Sequence, residues 1–220
     1  MKYIISWVLR HIPRKIIQLF AHRLLKLYSL ILTGNKVYCP VCDHSFSKFL
    51  PYGRLQPREN ALCPSCLSLE RHRLMHLYLK NETSFYTSKP KVLHVAPEYC
   101  FIDRFENYMG DNYITADIES PLAKVKMDLH DIPFEDNTFD YVVHTLVFCS
   151  VNDVNKGLLE LKRVLKPNGK LVFIEHIHPE GNILKKVFSF LNPAWRKIAS
   201  GCNINRDYIG SLESNGFHVV

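Results

Sequence analysis

A chain of 220 residues that is 47% hydrophobic, 12% aromatic and 22% charged has room for one full domain and a small module. That composition excludes wholesale disorder, a collagen-like repeat and a disulfide-dense mini-protein. The net charge of +7 is an N-terminal property: seven of the 28 basic residues and none of the acids lie in residues 1–36, and beyond them 21 basic side chains balance 21 acidic ones.

Segment 1–36 carries apolar clusters, such as Tyr3-Ile4-Ile5, Ile16-Ile17, Leu19-Phe20 and Leu24-Leu25, interrupted by Arg10, Arg14, Lys15, Arg23 and Lys26. Its charge-free stretches fall far short of the ~20 residues a spanning helix needs. Pro13-Arg14-Lys15 breaks the apolar core of a signal peptide, and no small-residue cleavage site follows. The segment therefore reads as one or two basic amphipathic helices, broken near Pro13. Two readings stay open: a helix lying peripherally in an anionic membrane surface, or one packed on the protein with a solvated basic face. Nucleic acid ranks third, because a neutral body supplies no extended phosphate track. An uncleaved, signal-free chain is expected in a reducing, cytoplasmic compartment, with surface association to membrane left open.

Residues 37–88 hold two Cys-x-x-Cys pairs, Cys39-Pro-Val-Cys42 and Cys63-Pro-Ser-Cys66, with 20 residues between them. Two tight turns that each present two thiolates suit a tetrahedral Zn²⁺, with a connecting segment that returns as a small hairpin. Four thiolates leave no open coordination position, so this zinc is expected to be structural. Ser68 is expected to cap a helix running to about Lys80, with Leu69, Leu74, Leu77 and Tyr78 on its apolar side. Arg71-His72-Arg73 is a solvated face or a contact for a polyanion. Cys100, Cys149 and Cys202 read as ordinary buried or partly buried thiols.

From residue 89 to 220 strands and helices alternate. Strands are expected at 91–96, 112–116 (ending at Asp117), 125–127, 139–144 and 170–174. Between the last two, Val154, Leu158, Leu161 and Leu165 mark a helix that stops at Pro167-Asn168-Gly169. Such alternation implies an α/β fold with a parallel sheet, whose ligands bind at the carboxyl ends of the strands near the switch point between the first and fourth. Asp117 stands where an acid accepts hydrogen bonds from ribose hydroxyls, and Asp128 and Leu129 stand where an adenine would lie. His144 and Thr145 end the fourth strand, and Glu175 and His176 the fifth.

The run Asp128-Leu-His-Asp-Ile-Pro-Phe-Glu-Asp-Asn-Thr-Phe-Asp140, followed by a strand, a helix and Arg163-Val-Leu-Lys-Pro-Asn-Gly169, resembles class I S-adenosylmethionine-dependent methyltransferases over residues 90–217. Residues 34–140 resemble a bacterial branch with an N-terminal zinc knuckle, which shares Cys-Pro-x-Cys, the 63–73 segment and Leu93-His-Val-Ala-Pro-Glu98. Residues 141–217 resemble the methyltransferase-like thiol S-methyltransferases, through Thr145-Leu-Val-Phe-Cys-Ser-Val151, Glu175-His176, Pro193-Ala-Trp195 and Gly201-Cys-Asn203. The resemblance implies a Rossmann-like sheet and S-adenosyl-L-methionine as cofactor, with Glu98, Asp117, Asp128, Leu129 and His144 on the cofactor.

Two departures stand out. The first-strand turn is Ala96-Pro97-Glu98-Tyr99, where the family usually has Gly-x-Gly-x-Gly, so Glu98 is expected to approach the amino-acid or ribose part of the cofactor. Gly216-Phe-His-Val-Val220 reaches only the start of the first of two closing strands, which implies a truncated domain. The reaction implied is methyl transfer from a sulfonium to an unidentified acceptor, a small molecule or thiol, with His144 and His176 lining the acceptor side as catalytic candidates. Alternatives are an RNA or protein methyltransferase docking its substrate on the knuckle, and a non-catalytic zinc-binding adaptor with a degenerate cofactor site.

Overall fold

Arg14–Ile31 form an 18-residue helix (α1) in the computed structural model, which describes residues 14–53, 56–199 and 201–220, with the side chains of α1 from His22 onward. The break expected near Pro13 lies outside the described residues. Leu24, Leu27, Leu30 and Ile31 of α1 are exposed. No helix among the described residues is long and apolar enough to cross a membrane.

The chain divides into two compact units, 1–86 with 99–104, and 87–98 with 105–220. In the first unit α1 leads into two short hairpins. Thr33–Cys39 (β1) pairs antiparallel with His44–Phe46 (β2), and Leu50–Tyr52 (β3) with Arg58–Leu62 (β4). One Cys-x-x-Cys segment is thus the turn of the first hairpin, and the other directly follows the second. Glu70–Asn81 (α2) comes next. Residues 99–104, which the sequence reading placed in the second domain, group here with the first unit: Arg104 donates to the Val41 carbonyl at 2.7 Å, and Phe101 meets the His72 ring edge-on.

The buried face of α2 differs from the expected one. His72, Met75, His76 and Leu79 point inward, whereas Leu74, Leu77 and Tyr78 are exposed. Two histidines take core positions, each with its Nδ1 partnered: His72 Nδ1 accepts from the Leu69 backbone N–H at 3.1 Å, and His76 Nδ1 lies 2.8 Å from the Tyr86 hydroxyl. Ser68 is not the cap, a position held by Leu69. Nor is Arg73 a solvated charge. It donates to the carbonyls of Ala61 (3.0 Å) and Ser68 (2.9 Å) and lies over the Phe49 ring.

Burial lowers the pKa of His76 to about 4, helped by the positive charges of Arg104 and Lys80. The unfolded chain takes up that proton near pH 6.5, so the unfolded state binds more protons between these values. Stability is therefore expected to fall as pH drops from about 6.5 to about 4. Urea midpoints measured across that range should show the loss, and His76→Gln should flatten it.

The second unit is built on a five-stranded parallel sheet in the order β7-β6-β5-β8-β9, from Val92–Val95 (β5), Tyr113–Asp117 (β6), Val125–Lys126 (β7), Phe139–Thr145 (β8) and Leu165–Ile174 (β9). All four residues of β5 and six of seven in β8 are buried, as a sheet covered on both faces requires. Tyr99–Met109 (α3) follows β5, and Val154–Val164 (α4) crosses from β8 to β9. Leu158, Leu161 and Val164 bury one side of α4 against Leu93, Val142 and Phe139.

Helix α4 ends at Val164 and not at the Pro-Asn-Gly stop. Leu165 already pairs with Phe139, and the register then shifts so that Lys170 pairs with Tyr141. Pro167-Asn168-Gly169 therefore forms a bulge inside β9. A side chain at Gly169 would stand about 3.0 Å from the Phe139 carbonyl oxygen, so the bulge depends on glycine there.

Arg163 fastens the loop after Asp128. Its guanidinium donates to the carbonyls of Ile132 and Phe134, each at 2.8 Å, and pairs with Glu160 and Asp136. Arg163→Ala is expected to cost about 2 kcal/mol in urea unfolding, because two carbonyls and two carboxylates lose a charged donor. Lysine should restore less than half of that, having no planar fork.

The chain continues through Asn182–Ile198 (α5) and Tyr208–Ser214 (α6). Phe217 packs on the core, and residues 217–220 carry no strand.

Candidate functional site

The knuckle residues converge as their spacing predicts. The four sulfurs of Cys39, Cys42, Cys63 and Cys66 lie within 4.8 Å of one another, with Cys39–Cys66 at 3.6 Å and Cys42–Cys63 at 3.7 Å. No disulfide joins them. A tetrahedron with Zn–S bonds of about 2.3 Å has S···S edges of about 3.8 Å, so the cluster fits that ion. The two knuckles repeat one conformation. Asp43 donates to the Cys39 carbonyl at 2.9 Å and Leu67 to the Cys63 carbonyl at 3.0 Å, and both are left-handed, at φ 57° and 62°. Ser68 Oγ sits 3.2 Å from both Cys39 and Cys66; the residue read as a cap belongs to the thiol cluster. Hydrogen bonds from Cys42, Cys63 and Cys66 hold the Cys39 thiol far below its ordinary pKa.

The second site lies where β5 and β8, adjacent in the sheet, send their chains to opposite sides. Such a switch point opens a crevice at the carboxyl edge. Ala96 follows β5 at φ +51°, the left-handed conformation that glycine ordinarily supplies, and it costs an L-residue about 1 kcal/mol. Its amide donates to the Ala116 carbonyl at 2.9 Å. Glu98 is held between the strands: Oε2 is 2.8 Å from His94 Nε2, and Oε1 accepts from the Thr145 hydroxyl. His94, buried within β5, binds the Tyr113 hydroxyl through Nδ1 at 2.7 Å.

Asp117 ends β6. Its Oδ1 accepts from the amides of Glu119 (2.7 Å) and Ser120 (2.6 Å), a turn that fixes the carboxylate at the crevice edge. Asp128 is half-exposed, and the backbone N–H and ring of His130 hold its carboxyl below the usual range. Leu129 is buried in the core, so only its backbone is available to a ligand. S-adenosylmethionine presents an ammonium, two ribose hydroxyls and an exocyclic amine, all donors. Carboxylates at Glu98, Asp117 and Asp128 are acceptors of the matching kind.

The catalytic candidates separate. His144 is wholly buried: Nδ1 is 3.2 Å from Glu175 Oε1, Nε2 is 3.3 Å from the Tyr208 hydroxyl, and Phe173 stacks on the ring. A ring enclosed in this way is placed to orient Glu175 and presents no surface to solvent. Glu175 in turn accepts from the amides of Val147 (2.5 Å) and Phe148 (2.7 Å). Burial pushes its carboxyl up, but His144 and those amides together hold it below its ordinary value. His176 is exposed, with Nδ1 3.1 Å from Cys202 Sγ.

A parallel sheet in this order, with acids at the carboxyl ends of β5, β6 and β7, is a Rossmann-like α/β arrangement. Residues 102–173 match the family model described as a methyltransferase domain. The chain is 41% identical over 86 residues to a thiol S-methyltransferase, TMT1B, of Rattus norvegicus, covering 39% of this chain and 35% of that protein. It is 38% identical over 89 residues to the ubiquinone/menaquinone biosynthesis C-methyltransferase UbiE of Pseudoalteromonas translucida, covering 39% of this chain and 36% of that one. The matches thus span about a third of the length of these relatives. The YcgJ protein of Bacillus subtilis superposes with a TM-score of 0.52 at 20% identity, over 66% of this chain and 68% of that one. The sequence match over residues 102–173 is thus to a methyltransferase domain, and the structural likeness is one of fold.

The sequence reading missed His94, Tyr113 and Tyr208, and the buried amides Asn192 and Asn203. One signal was available: a histidine in the apolar run Val92-Leu-His-Val95 must be partnered if it is buried.

Proposed function

We propose that this chain transfers the methyl group of S-adenosylmethionine to the sulfur of a small thiol, with structural zinc in its first unit. The observation that carries the reading is the placement of Glu98, Asp117 and Asp128 at the carboxyl ends of β5, β6 and β7, three neighbouring strands on one side of the switch point. Asp117 would accept from the ribose hydroxyls, Asp128 and the Leu129 backbone would meet the adenine, and Glu98, held by His94 and Thr145, would face the amino-acid end. The sulfonium supplies an already activated methyl group, so the chain's task is to orient it and exclude water.

The occupied bases support a thiol acceptor, with exposed His176 the remaining candidate base. His144 is enclosed and Glu175 is spent on backbone amides, which leaves an alcohol or amine acceptor without either as a base. A thiol ionises by itself near neutral pH. Arg73 and His72 are bound within the first unit, which counts against a polymer docked on that segment. The methyl acceptor is expected to yield a thioether detectable by mass spectrometry, at a rate that rises with pH until the thiol is ionised, while the matching alcohol stays unmodified. Methylation of the alcohol at a comparable rate, or of neither, would contradict the reading.

We also propose a peripheral contact between α1 and anionic membrane, supported by exposed Leu24, Leu27, Leu30 and Ile31 beside Arg23 and Lys26. Co-sedimentation with phosphatidylserine vesicles, abolished by Leu27→Glu with Leu30→Glu, is the test.

A further inference from the structure

Cys149 after β8, His176 after β9 and Cys202 after α5 form a cluster that the cofactor site does not use. The sulfurs of Cys149 and Cys202 and a ring nitrogen of His176 lie within 4.8 Å of one another. Both thiols are buried, while His176 is open to solvent. The residues come from three separate segments, which a dedicated set of hydrogen bonds holds together. Asn203 binds the Cys149 carbonyl through its backbone amide (2.7 Å) and its side chain (2.8 Å). Buried Asn192 donates to Asn203 Oδ1 at 2.9 Å and accepts from the Ile204 amide at 3.0 Å. Arg206 donates to the Phe148 carbonyl at 2.5 Å, and Glu175 receives the Cys149 amide at 3.3 Å. Two buried asparagines and an arginine are thus committed to fixing where the two thiols stand, the kind of support that metal ligands need.

We propose that Cys149, His176 and Cys202 bind a thiophilic divalent cation, zinc in the first instance, with its fourth position open beside His176. Two thiolates and one imidazole are a donor set that Zn²⁺ takes when it keeps a position for substrate. The contrast with the knuckle is chemical: four thiolates close that site, whereas three ligands with one at the surface leave this one open. Binding the cation releases the two thiol protons to solvent.

Resting on the proposed thiol methylation, the open position is where the acceptor binds. The substrate thiol displaces a coordinated water, loses its proton to solvent and is held as a thiolate. Its sulfur forms the new C–S bond while the methyl–sulfonium bond breaks, the electron pair staying on the cofactor's sulfur. The neutral thioether product is a weak ligand and leaves.

Metal stoichiometry tests the site separately from the reaction. The full chain purified under reducing conditions is expected to carry two equivalents of zinc. The double variant Cys149→Ser with Cys202→Ser is expected to carry one. Exchanged with Co²⁺, the same variant should lose about a third of the thiolate-to-cobalt charge-transfer absorbance, two of six thiolates being removed. His176→Gln changes only an exposed side chain and should weaken the second site about tenfold or more. One equivalent in the wild-type chain, or two in the double variant, would overturn the proposal, as would isolation of a Cys149–Cys202 disulfide with a single metal. Titration of the same samples with S-adenosylmethionine keeps the outcomes apart: a chain that binds the cofactor but only one zinc loses this inference alone.

Discussion

Cys39→Ser combined with Cys63→Ser is expected to unfold the hairpins and α2 of the first unit. Both residues are fully buried, and their sulfurs lie 3.6 and 3.7 Å from those of Cys66 and Cys42. Structural zinc sites of this kind contribute on the order of 10 kcal/mol or more of apparent binding free energy. That is as large as the whole stability of a typical domain. Two three-residue strands, β2 and β3, and a twelve-residue helix have little else to offset such a loss. Amide exchange should therefore lose protection across residues 33–81 in the double variant, and a chelator should do the same to the wild type. Retained protection after either treatment would mean that hydrophobic packing alone holds the unit.

Asp117→Ala is expected to weaken S-adenosylmethionine binding by about 10² to 10⁴-fold, since two hydrogen bonds to a charged acceptor contribute roughly 1.5–3 kcal/mol each. The alanine variant also removes the acceptor for the Glu119 and Ser120 amides, so its effect mixes ligand contact with loss of the turn. Asp117→Asn separates them. It keeps an oxygen for the turn and loses the charge, and the expected loss is about tenfold. Equal affinities for wild type and both variants, measured by fluorescence competition, would remove Asp117 from the site.

Much of the fold was legible because its signals are local. Runs of three to six residues bounded by turns placed all five strands of the sheet, and the doubled Cys-x-x-Cys placed the thiol cluster. Errors arose where a distant partner decides. The periodicity of α2 favoured Leu74, Leu77 and Tyr78, but Tyr86 and the Leu69 amide made His76 and His72 the inward residues. Pro167-Asn168-Gly169 reads as a helix stop until Phe139 offers Leu165 a ladder partner.

The candidate site shows the same division. Acids at strand ends follow from topology, so Asp117 and Asp128 were accessible to reasoning. His144 and Glu175 also end strands, yet in a sheet buried on both faces alternation does not reveal which end residue opens to solvent. Their pairing across β8 and β9 depends on register. The Cys149–His176–Cys202 cluster depends on three segments meeting, and no spacing between them encodes it.

The central claim is that this sheet, with its glycine-free turn at Ala96, holds S-adenosylmethionine. Calorimetric titration of the full chain with the cofactor tests it most directly. The account predicts one site per chain with a dissociation constant in the micromolar range, and a thermal shift that Asp117→Ala abolishes. No heat and no thermal shift at millimolar cofactor would contradict it.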